Sequence, residues 1–134
     1  MNPQSQPLLL LLLAGALAAL GGCQAQDGQC SVTPVRNLDD FNSALRTTAL
    51  VVVHYPLDGN DESKKDAQYF ANLCTICHNA KFFEANQNQV PEVAQYNHVK
   101  DVSTVQIFKN GIMVSEFEGP LEKSELESEL RRLQ

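Results

Sequence analysis

No charged side chain occurs in the first 26 residues, so the leader has neither lysine nor arginine. Positive charge is scarce in the whole chain, which sets 10 basic residues against 16 acids for a net charge of −6. That balance argues against a partner rich in phosphate, whether nucleic acid or an anionic membrane surface. No internal repeat and no low-complexity linker follows the leader. A chain of 134 residues holds one domain, not two. An apolar run long enough to cross a bilayer is also missing. The run Leu8–Leu20 is followed by the small residues Gly21, Gly22 and Cys23, which is the pattern of a cleaved secretory signal. The expected division is a signal over 1–25 and a domain over 26–134.

Leu20-Gly21-Gly22-Cys23 also resembles a bacterial lipobox, with Cys23 as a lipid-carrying mature N-terminus. The favoured expectation is a eukaryotic secretory route and an extracellular protein, free of membrane once the signal is removed. A bacterial periplasmic protein or lipoprotein is the alternative. Cleavage beyond Cys23 leaves Cys30, Cys74 and Cys77, an odd number in an oxidising compartment. Cys30 is then a candidate free thiol.

What is present reads as alternating strands and helices. "CSVTPV" (30–35) suits a short strand, and Asn37 caps a helix carrying Leu38, Phe41 and Leu45 on one stripe. "ALVVVHYP" (49–56) is a strand apolar on both faces, the habit of a central strand. After the turn "LDGND", a helix is predicted over 62–73, with Ser63 as N-cap, Asp66 three residues on, and a stripe of Ala67, Phe70, Ala71 and Cys74. "AKFFEA" (80–85) is the next strand and "VPEVAQY" (90–96) a short helix with proline in its first turn. "STVQIF" and "IMVSEFEG" flank Asn110-Gly111, the strongest short hairpin signal. Leu126, Leu130 and Leu133 then line a closing helix. The order is β-α-β-α-β-α-β-β-α, an α/β fold with a mixed central sheet and helices on both faces.

The chemistry-bearing motif is Cys74-Thr75-Ile76-Cys77-His78. C-x-x-C suits dithiol redox chemistry, and C-x-x-C-H suits covalent haem, with His78 and Met113 as axial candidates. A zinc site from Cys74, Cys77, His78 and either His54 or His98 is a weaker alternative, because adjacent ligands rarely reach one tetrahedral ion.

Over nearly all of its length beyond Val32 the chain resembles the thioredoxin family. The resemblance is carried by "LVVVHY", by "NQVPEVAQYNHV" and by the hairpin "VSTVQIFKNG" with its glycine and closing helix. It implies a thioredoxin-like fold, but the usual site is absent. The stretch where the family carries C-x-x-C reads Asp58-Gly59-Asn60-Asp61-Glu62 here. Ser103 stands at the family's cis-proline, and Val53 at its buried acid. The expected function is that of a polypeptide-binding or chaperone-like module, its groove bordered by Tyr55, Asp58, Asn60 and Ser103. No cofactor or metal is expected, and no catalysis at the usual position. The alternatives are a thiol–disulfide oxidoreductase acting through a displaced Cys74/Cys77 pair and a c-type haem protein. In the predicted order Cys74 lies at the C-terminal end of its helix, where the dipole disfavours thiolate. A structural pair is therefore favoured there.

Overall fold

The computed structural model describes residues 31–76 and 79–134. Its elements are β1 (Thr33–Pro34), α1 (Leu38–Ala44), β2 (Leu50–Tyr55), α2 (Asp61–Ile76), β3 (Ala80–Glu84), α3 (Pro91–Tyr96), β4 (Thr104–Lys109), β5 (Ile112–Glu118) and α4 (Lys123–Leu133). They form the predicted α/β order. The sheet runs β1-β3-β2-β4-β5, with β1, β3 and β2 parallel and β4 and β5 antiparallel to their neighbours.

All six residues of β2 are buried, and successive side chains enter opposite cores. Leu50 and Val52 join Phe70, Leu73, Ile107, Leu126 and Leu130, the layer made by α2 and α4. Val51, Val53 and Tyr55 join Phe41, Val93, Ala94 and Phe108, the layer made by α1 and α3. This is why the strand reads as an unbroken apolar run. Phe70 is central to the first layer, its ring 5.2 Å from that of Phe82 and 5.4 Å from the imidazole of His54.

Asn37 caps α1, its side chain accepting from Asp40 N at 2.8 Å. Asn110 and Gly111 have φ of 53° and 80°, the two positive values of a type I′ hairpin turn, and Lys109 pairs with Ile112 across it. Leu126, Leu130 and Leu133 are the buried face of α4.

Two details of α2 are corrected. Its cap is Asn60, whose Oδ1 accepts from Ser63 N at 2.8 Å and whose carbonyl accepts from Lys64 N. Ser63 lies inside the first turn, and its Oγ accepts from Leu57 N at 3.0 Å instead. The buried face runs Ser63, Asp66, Phe70, Leu73 and Cys74, whereas Ala71 is exposed, one helical step round from Phe70. β1 is also shorter than "CSVTPV", and Cys30 lies outside the described residues. So do the expected signal, the lipobox-like Cys23, Cys77 and His78.

Truncation of Phe70 is expected to be costly. Phe70→Ala should lower the unfolding free energy in urea by about 3–5 kcal/mol. Ile112→Ala, on the exposed edge strand, should change it by less than about 0.5 kcal/mol.

Candidate functional site

The parallel strands β2 and β3 end at one edge of the sheet, where α2 begins and the segment before β4 passes. Ligands of open α/β sheets settle at such an edge, outside the C-terminal ends of the strands. Here the edge is built from amide side chains. Asn86 Nδ2 donates to Asp58 Oδ1 at 2.8 Å, and Asp58 N donates to Asn88 Oδ1 at 2.7 Å. Gln87 Nε2 donates to the carbonyls of Tyr55 at 3.0 Å and Val102 at 2.9 Å, joining the end of β2 to the Ser103 segment. Gly119 N donates to Ser103 O at 2.9 Å and ties in the end of β5. Gly59 turns the loop with φ of 73°.

Beneath this edge lies a buried polar pair. His54 Nε2 is 3.0 Å from Ser103 Oγ, and both residues are fully buried. His54 Nδ1 has no partner. Burial alone holds the imidazole at a pKa of about 4, so it is neutral at pH 7. Glu84 stands beside His54 in the sheet register, and burial raises its pKa. The buried polar side chain of β2 is thus His54, on the α2/α4 face. Val53, where the resemblance located the family acid, packs on the opposite face.

The groove residues expected from the sequence separate into two sets. Asp58 and Asn60 are at the surface edge, but each is already engaged, Asp58 by Asn86 and Asn60 by its cap. Tyr55 does not line a groove. It is fully buried, donating to Gln106 Oε1 at 2.8 Å and accepting from Asn97 Nδ2 at 3.0 Å, because the last residue of β2 alternates into the α1/α3 layer. Ser103 is buried as well, leaving the neighbouring Val102 as the exposed apolar residue of that segment.

Cys74 sits in the α2/α4 core, 1 % exposed, near the C-terminal end of α2, and it is disulfide-bonded. That agrees with a structural role more than with an activated thiol. A sulfur in a disulfide has no valence left for a thioether. Met113 lies on the exposed edge strand. Among the described residues no group of three His, Cys, Asp or Glu side chains could hold a metal. His54 is a packed core residue, and His98 is exposed just beyond α3.

No protein-family model matches the chain. Thioredoxin of Gallus gallus is 33 % identical over 104 residues, covering 76 % of this chain and 98 % of that protein. The chain belongs to the thioredoxin family. Solved thioredoxins share its fold at lower identity. That of Trypanosoma brucei brucei has a TM-score of 0.74 at 17 % identity, over 82 % of this chain and 96 % of its own. That of Fasciola hepatica gives 0.73 at 18 %, over 77 % and 100 %. Within this thioredoxin-family chain, sequence reasoning missed the Asn86–Asn88 clasp and the cap at Asn60. The run "EANQNQ" was the available signal, since asparagine side chains commonly close loops on their own backbone.

His54 sets a pH dependence. Its folded pKa lies below the unfolded value of 6.5, so between those values the unfolded chain binds more protons. Stability is therefore full above pH 6.5 and lost as pH falls toward 4, by roughly 3 kcal/mol. Glu84, with its raised pKa, acts in the opposite sense. The expected result is that urea stability measured from pH 7 to pH 4.5 falls less steeply in His54→Gln than in the unaltered protein.

Proposed function

We propose that this thioredoxin-family chain is an exported, chaperone-like polypeptide-binding module that does not run dithiol exchange at the start of α2. The observation that carries this function is the chemistry of that helix end. A helix N-terminus lowers a thiol's pKa and makes C-x-x-C reactive. Here the cap and the third residue of the helix, spaced as in C-x-x-C, are Asn60 and Ser63. Asn60 accepts from Ser63 N, and Ser63 Oγ accepts from Leu57 N, so both act as structural acceptors. Neither can form a disulfide.

The edge above them still has the parts that suit an extended chain: the exposed Val102, the turn at Gly59 and the segments joined by Gln87. Cys74, disulfide-bonded and nearly inaccessible at the opposite end of α2, is poorly placed for exchange with a protein substrate. A disulfide there, together with the leader at 8–20, supports an oxidising compartment and export.

Insulin incubated with dithiothreitol separates the possibilities. With the mature protein added, insulin thiols should appear at the rate set by dithiothreitol alone, while precipitation of the released B chain is slowed. The double variant Asn60→Cys, Ser63→Cys should release insulin thiols several-fold faster, because it places a dithiol on the helix N-terminus. Catalysed reduction by the unaltered protein, lost in Cys74→Ser, would overturn the proposal in favour of a displaced redox pair.

A further inference from the structure

One buried charge is left over by this architecture. Asp66, in the second turn of α2, is 6 % exposed. Its Oδ1 accepts from Leu121 N at 3.3 Å, but its Oδ2 has no partner. A buried carboxylate oxygen without a donor is costly, more so than a neutral group in the same place. Asp66 lines a cleft of about 360 Å³ between α2 and the β5–α4 connection, shared with Glu62, Lys65, Tyr69, Leu121 and Lys123.

The protein's own cations leave Asp66 unmatched. The ion pairs among the described residues are Arg36–Asp40, Arg131–Glu127 and Arg132–Glu129, so Lys65 and Lys123 pair with none of the acids of the cleft. Lys123 instead holds its ammonium 5.4 Å from the centre of the Tyr69 ring. That wall of the cleft therefore already receives a cation. The Tyr69 hydroxyl is already engaged, sharing its proton between Lys123 O at 3.1 Å and Glu127 Oε2 at 3.2 Å. Lys65 and Lys123 equal the cleft's acids Glu62 and Asp66 in number, but neither lysine stands within ion-pair distance of Asp66.

We propose that this cleft is the side-chain pocket of the polypeptide site and takes an arginine of the bound chain. Its guanidinium stacks on Tyr69 in place of the Lys123 ammonium and, as the side chains lining the cleft part, donates to Asp66 Oδ2, an atom closed to solvent in the free chain. A guanidinium fits better than an ammonium, being planar, less strongly hydrated and suited to an aromatic face. The single free oxygen of Asp66 receives one charge-assisted hydrogen bond, stronger than its neutral equivalent. The position is also right. Gly119 N is bonded to Ser103 O, and the cleft is lined from the next residue, Pro120, which follows the Ser103 segment along which the polypeptide is proposed to run.

The proposal rests on the polypeptide-binding function, and one titration separates the two. The probes are the capped pentapeptide Val-Ala-Arg-Ala-Val and the same peptide with citrulline, nearly isosteric and uncharged, in place of arginine. Both are titrated into the mature protein and followed by amide chemical shifts. The arginine peptide should bind at least tenfold more tightly, and Asp66→Asn, which keeps an acceptor for Leu121 N, should abolish the difference. Lys123→Gln removes the competing cation and should tighten arginine binding a few-fold; no tightening there would count against the pocket if Asp66→Asn fails to fold. Equal binding of the two peptides, or a preference that survives in Asp66→Asn, overturns the arginine pocket and leaves the polypeptide site standing. Binding of neither overturns both.

Discussion

β2 carries apolar side chains on both faces, and neither set can be left in water. The whole molecule follows from that constraint. Helices must cover both sides of the sheet, and α2 with α4 on one side and α1 with α3 on the other supply the cover. A central strand parallel to β3 and antiparallel to β4 then ends, at its C-terminal edge, between the start of α2 and the segment leading into β4. The candidate site is therefore a product of how β2 is buried, and it stays in place whatever residues occupy it.

What occupies it decides the chemistry. Thiol activation needs a thiol at the positive end of α2, and the side chains there are instead acceptors that close the loop and cap the helix. Below them, His54 and Ser103 fill the site's floor with a neutral pair. An imidazole held at a pKa of about 4 is a weak base at pH 7, and its hydrogen-bond partner among the described residues is a buried hydroxyl. The polar groups at this edge are used to hold three chain segments together, through Gln87, Asn86 and Gly119. Rigidity of that kind favours binding, because less ordering is required when a partner docks.

Features encoded locally were legible in the sequence. Asn110-Gly111 announces its hairpin because two consecutive positive φ values suit few other residue pairs. The three leucines of α4 and the run of β2 declare their burial by spacing alone. Features decided by tertiary contact were less legible. Asn60 and Ser63 are both good capping residues, and only the position of Leu57 N settles which one caps and which one braces the loop. On a strand buried on both sides, nothing in the pattern tells a surface-lining tyrosine from a core one, so Tyr55 was expected in the groove. Cys74 belongs to a C-x-x-C motif, but its place on the stripe of Phe70 already points to the core, and it lies deep in the α2/α4 layer. Its burial comes from falling on the same helical face as Phe70 and Leu73.

The central proposal is that a polypeptide-binding edge persists without dithiol exchange at the start of α2. The most direct measurement is a map of backbone amide shifts in the mature protein on addition of an unfolded, cysteine-containing polypeptide, with intact mass recorded on the same sample. The predicted map has its largest changes at 57–60, 102–104, 119 and 121, with no covalent mass added. Changes concentrated near Cys74 and Thr75, accompanied by the mass of a mixed disulfide, would contradict it.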